Sequence, residues 1–156
     1  MPMRWPRVGP DRLFADTNLF LRYLTNDLPE QADAVEHLLL LATQGEIVLV
    51  TNSLVMAEIV WTLDSYYRLA RSDIREKIHA ILHTPGLEVV DGHLLEAAVD
   101  DYVERNVDFV DAYNVAWAQA QGIRLACTFD RKHFSRFENI EVCVPGQWKP
   151  TTPSRP

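Results

Sequence analysis

Arg12-Leu13-Phe14-Ala15-Asp16-Thr17-Asn18-Leu19-Phe20-Leu21 changes its periodicity halfway along. Its first half is a short apolar run ending in a carboxylate, which reads as a buried strand. Thr17 or Asn18 then opens a helix carried by Leu19, Phe20, Leu21, Tyr23 and Leu24. The same strand-then-helix order recurs downstream. Ile47-Val48-Leu49-Val50 is a continuous β-branched run, as expected where both faces of a strand are covered. Asn52 or Ser53 caps the next helix, with Val55, Ile59, Val60 and Leu63 inward. Leu87 to Val90 is a third strand, followed by a helix from about His93 to Arg105. Arg124 to Thr128 and Asn139 to Val144 are further strands. Other helices start at Pro29 and end before Gly45, are capped by Ser72-Asp73 and end at Pro85-Gly86, and run from about Phe109 to Gln121 before Gly122. Strands alternating with helices imply parallel pairing through helical crossovers. The expected class is α/β, a three-layer α/β/α sandwich with a mainly parallel central sheet.

The chain has 156 residues, 47% apolar and 24% charged, which suits one folded domain and excludes wholesale disorder or a low-complexity polymer. Pro-rich stretches bound it. Residues 1–11 and 148–156 read as tails around a body at 12–147. The longest purely apolar run, Leu38 to Ala42, falls far short of the ~20 residues that span a bilayer. With no apolar leader visible, a cytoplasmic protein without membrane attachment is expected. Cys127 and Cys143 lie in apolar runs and form no CxxC pair, so both are expected as buried reduced thiols. Fifteen Lys and Arg against 22 Asp and Glu give a net charge of −7. That balance argues against nucleic-acid binding through a broad basic field.

Four acidic residues stand in apolar surroundings or at element ends. Asp16 follows Leu13-Phe14-Ala15; Glu58 sits within Val55-Met56-Ala57-Glu58-Ile59-Val60; Asp111 sits within Phe109-Val110-Asp111-Ala112; Asp130 ends Thr128-Phe129-Asp130. Each has an ordinary explanation alone: Asp16 as a helix cap, Glu58 as an exposed helical position, Asp111 and Asp108 as acids favoured by a helix N-terminus, Asp130 as a turn residue. Together they raise a charge problem. Carboxylates that meet without Lys or Arg repel one another, and a divalent cation removes the repulsion. Oxygen-only ligation favours Mg²⁺ or Mn²⁺ over Zn²⁺. In parallel α/β sheets, ligands bind beyond the carboxyl ends of the strands, where Asp16 and Asp130 fall.

In this order the motifs Phe14-Ala15-Asp16-Thr17-Asn18, Ala57-Glu58, Phe109-Val110-Asp111-Ala112 and Thr128-Phe129-Asp130 resemble those of PIN-domain ribonucleases, specifically the toxins of VapBC-type toxin–antitoxin pairs. The resemblance runs from Leu13 to about Val144. It implies that Asp16, Glu58, Asp111 and Asp130 are the catalytic and metal-binding acids, supported by Thr17, Asn18 and Thr128, with Asp108 secondary. It also implies one or two Mg²⁺ or Mn²⁺ ions, a metal-activated water as nucleophile, structured RNA as substrate, a homodimer, and a small antitoxin protein as partner. Arg124, Arg131, Lys132 and Arg136 cluster near Asp130 and are expected to contact RNA phosphates, with Arg22 a weaker candidate.

Other features read as structural. His79 and His83, four apart on a helix, suit a zinc pair but have no third ligand near them in sequence, so surface histidines are the expectation. Trp61 and Trp117 are expected in a core or an interface. Leu38 to Leu41 widens one helix's apolar surface enough to bury a partner. Three other readings compete: a catalytically silent PIN-like RNA-binding or scaffold protein, a haloacid-type phosphatase, and a phosphoacceptor receiver domain. The phosphatase needs a second acid where Asn18 stands, and the receiver needs an adjacent acid pair.

Overall fold

The structure is a computed structural model, and it describes residues 8–150. Its elements are β1 (Asp11–Phe14), α1 (Thr17–Thr25), α2 (Pro29–Thr43), β2 (Ile47–Thr51), α3 (Ser53–Ser65), α4 (Arg71–Leu82), β3 (Leu87–Val89), α5 (Gly92–Glu104), α6 (Phe109–Ala120), β4 (Leu125–Cys127), α7 (Arg131–Phe134) and β5 (Glu141–Cys143). Every strand pairing described is parallel, as the alternation of strands and helices requires. Of the expected tails, residues 1–7 and 151–156 lie outside the described residues, and Asp11 already belongs to β1. The chain divides into two compact units, one ending at Glu96 and the other beginning at Ala97.

In the first unit β2 is the middle strand of the order β1-β2-β3, with Leu13 opposite Leu49 and Leu49 opposite Leu87. Parallel neighbours need crossovers, and α1–α2 and α3–α4 supply them. α1 packs on α2 and α3, α2 on β2, and α4 on α3 and β3. Phe20, Leu49, Met56, Ile59, Leu63, Ile74 and Ile78 are buried. β1 departs from the expectation of a buried strand: Leu13 is 40% and Phe14 65% exposed. It is the edge strand of this unit's three-stranded sheet, and an apolar run does not tell an edge from a centre.

The turn into β3 depends on Gly86. Its φ is +78°, and a Cβ there would meet the backbone carbonyl of Ala42. Its own carbonyl accepts the Leu49 N–H at 2.9 Å, joining the turn to β2. α4 begins earlier than Ser72-Asp73 suggested. Ala70 is its N-cap without a side-chain bond, and Asp73 lies in the first turn, where the helix dipole also favours it.

In the second unit β4 pairs with β5, Cys127 opposite Cys143, through the short crossover α7. Tyr102, Val107, Phe109, Ala112, Val115, Phe137 and Ile140 are buried, and the Tyr102 ring meets Phe109 edge-on with centroids 6.3 Å apart. The Arg105 guanidinium lies over Phe137 and donates to the Arg136 carbonyl at 3.0 Å. The two thiols are not buried as expected: Cys127 is exposed and Cys143 partly so. Three-residue strands leave little area to cover either face. Trp61, 69% exposed, and Trp117, 45% exposed, are not core residues either.

Candidate metal centre

The first unit fixes Asp16 from its backbone outward. The Ala15 N–H donates to the Val50 carbonyl at 2.9 Å, and the Ala15 carbonyl accepts the buried Thr51 hydroxyl at 2.9 Å. The residue before Asp16 is therefore held on both sides by β2. Asp16 then caps α1, its Oδ1 accepting the Thr17 N–H at 2.7 Å, and its side chain stays in solvent. Thr17 is only 3% exposed, and its hydroxyl donates to Glu58 Oε2 at 2.8 Å. Thr17 thus links the first two predicted acids: its amide holds Asp16 and its hydroxyl holds Glu58, which stands exposed on α3. Asn18 is exposed in the first turn of α1. Thr51 was not foreseen; a threonine closing a strand has no signature in sequence until its partner carbonyl is known.

The second unit carries Asp108, Asp111 and Asp130. Asp108 caps α6, its Oδ2 accepting the N–H groups of Val110 at 3.1 Å and Asp111 at 3.4 Å. Asp111 is half-buried in the first turn. Burial pushes its carboxyl above the usual range, and the negative charges of Asp108 and Asp130 push it further, against a smaller opposing effect of His133. Asp130 caps α7; its N–H donates to Thr128 Oγ1 at 3.0 Å, and its carboxylate accepts the His133 N–H at 3.2 Å and pairs with His133 Nδ1 at 2.8 Å. The side-chain bond from His133, followed by its backbone bond, holds Asp130 below the ordinary value. His133 is not an acid in apolar company; its signal in sequence is the Asp130-Arg131-Lys132-His133 spacing directly after a strand.

The two acids consequently have opposite pH signatures. Asp130, depressed, adds stability that is present above its unfolded pKa and lost as pH falls through its folded pKa. Asp111, raised, favours the folded state below its unfolded pKa and loses that contribution as pH rises through its folded one. In His133→Ala the Asp130 carboxyl should titrate at higher pH than in the wild type. Carboxyl-carbon NMR titration of the metal-free protein checks this, and coincident Asp130 curves would show that His133 does not set its ionisation.

The basic residues divide by what they already hold. Arg131 and Lys132 are exposed on the helix that Asp130 caps, and Arg124 is exposed before β4. Arg136 donates to the Asn106 carbonyl, bracing the turn before α6. In the first unit Arg22 is paired with Asp27 at 2.9 Å and bonded to Gln31 at 3.0 Å.

The candidate residues named from sequence offer carboxylate, hydroxyl and amide oxygen, the ligand chemistry of Mg²⁺ or Mn²⁺, with the His133 imidazole beside Asp130 in the second unit. The raised Asp111 carboxyl is the electrostatic cost a divalent cation would relieve. The PIN domain family profile matches residues 13–140, from β1 to just before β5, in keeping with the expected α/β class. No curated protein matches the chain.

Proposed function

We propose that this chain, which belongs to the PIN domain family, is a metal-dependent endoribonuclease acting on structured RNA, and the toxin of a VapBC-type toxin–antitoxin pair. PIN domains are commonly nucleases that use divalent metal ions. The observation that carries the reading is Asp111, a half-buried carboxylate in the first turn of α6 whose pKa is raised by burial and further by the charges of Asp108 and Asp130. A purely structural position would gain by losing that charge. We assign Asp16, Glu58, Asp111 and Asp130 as metal ligands, with Thr17, Asn18, Thr128 and Asp108 in support.

A bound Mg²⁺ or Mn²⁺ would supply an acidified water and neutralise charge developing on the phosphate. The chain's own residues do the positioning. The Thr17 hydroxyl orients Glu58, and its amide orients Asp16. Thr51 holds the backbone that presents them. Asp108 spends its carboxylate on the α6 amides, which makes it a support for Asp111. Arg131 and Lys132 would meet RNA phosphates, aided by Arg124; Arg136 and Arg22 are the lesser candidates because each already serves a local contact.

For the antitoxin and a second copy of the chain, the support is exposed apolar surface in the first unit. Leu54 (80% exposed) and Trp61 (69%) lie two turns apart on α3, and Leu40 (52%) lies on α2. One observation favours the silent RNA-binding reading instead: His133 already occupies the Asp130 carboxylate. Incubating the protein with a structured RNA decides between them. Cleavage with Mn²⁺ that stops with EDTA and returns on adding excess Mn²⁺ is expected. RNA bound but intact in Mn²⁺ would favour the silent reading.

A further inference from the structure

We propose that His79, His83 and Glu96 form a Zn²⁺ site that ties the end of α4 to the start of α5, beyond the carboxylate chemistry proposed above. All three residues belong to the first unit. His79 and His83 are one turn apart on α4, and their rings stack at an interplanar angle of 6° with centroids 6.0 Å apart. Glu96 comes from α5. Its Oε1 lies 3.3 Å from His79 Nδ1 and 3.1 Å from His83 Nε2, and the three ligand atoms all lie within 4.8 Å of one another. A tetrahedral zinc with bonds of about 2.0–2.1 Å places its ligand atoms roughly 3.3 Å apart. Two of the three edges already have that length.

The sequence hid this third ligand. Glu96 is 13 residues beyond His83, with β3 between them, so the zinc pair looked incomplete until the fold returned the chain. Its donor set differs from that of the acidic residues. Two imidazoles and one carboxylate suit Zn²⁺, whereas Mg²⁺ and Mn²⁺ prefer oxygen. The position also favours a cation: His83 is the C-cap of α4, where the helix dipole is negative. The side chains of His83 and Glu96 are 65% and 41% exposed, which gives an ion access and leaves room for water as a fourth ligand.

The test is calorimetric titration of the full chain with Zn²⁺ in a large excess of Mg²⁺, which occupies oxygen-donor sites and competes poorly for imidazole. The wild type should take up one Zn²⁺ per chain. His83→Ala and Glu96→Gln should each bind at least about tenfold more weakly, the least that losing even an outer-shell partner commonly costs. Glu96→Gln is isosteric, and circular dichroism of both variants verifies the fold. Asp16→Asn should bind Zn²⁺ as the wild type does. Zinc uptake equal in wild type, His83→Ala and Glu96→Gln overturns the site, as does loss of uptake in Asp16→Asn alone. RNA cleavage enters none of these readouts, so failure of the nuclease reading leaves them interpretable.

Discussion

Asp16→Asn should lower metal-dependent RNA cleavage by about a hundredfold or more, because losing a direct ligand should cost at least the upper end of what removing an outer-shell partner does. The fold should survive. Asn caps helices about as well as Asp, and its amide oxygen still accepts the Thr17 N–H that Asp16 receives at 2.7 Å. Asp16 is exposed, so the substitution opens no cavity. What disappears is one negative charge at the point where β1 hands over to α1. Single-turnover cleavage with Mn²⁺, beside a thermal melt of both proteins, separates the two effects. A variant that melts normally and keeps more than about a tenth of the wild-type rate would remove Asp16 from the ligand set.

The largest expected loss of stability lies elsewhere, at Gly86. Alanine there must adopt φ near +78° and place its methyl against the Ala42 carbonyl, a backbone group that cannot rotate away. Left-handed strain and a backbone clash together should cost about 3 kcal/mol or more. For a chain of this length that corresponds to a melting temperature lower by roughly 6–12 °C. Gly122 is the control: its φ is +74° but nothing lies within 4 Å of an added Cβ, so Gly122→Ala carries the strain alone. Thermal melts of the two variants should differ clearly. Equal, small shifts would mean that the α2 terminus yields to the turn at little cost.

Much of the fold was legible because its signals are periodic. β2 is a continuous apolar run, α2 starts at Pro29 as its first-turn proline predicts, and Asp108 and Asn52 cap α6 and α3 by bonds to backbone amides. What was not legible depends on neighbours. β1 reads like β2 in sequence but lies at the edge of the first unit's three-stranded sheet. α7 is four residues long, too short for any periodicity. The candidate site shows the same division. Carboxylates in apolar company identify Asp16, Glu58, Asp111 and Asp130 as unusual. The link from Thr17 to Glu58 joins residues 41 apart, Asp111 is raised chiefly by burial, and Asp130 is lowered chiefly by His133; none of these is visible along the chain. The His79–His83 pair looks incomplete along the chain for that reason too, since Glu96 arrives on a different helix.

Divalent-metal binding by Asp16, Glu58, Asp111 and Asp130 is the proposal on which the function rests. Mn²⁺ titration tests it most directly, carried out in a His83→Ala background so that the imidazole cluster does not contribute. Asp16→Asn, from the first unit, and Asp111→Asn, from the second, should each weaken Mn²⁺ binding by at least about tenfold. Mn²⁺ affinity unchanged by both substitutions would contradict the account.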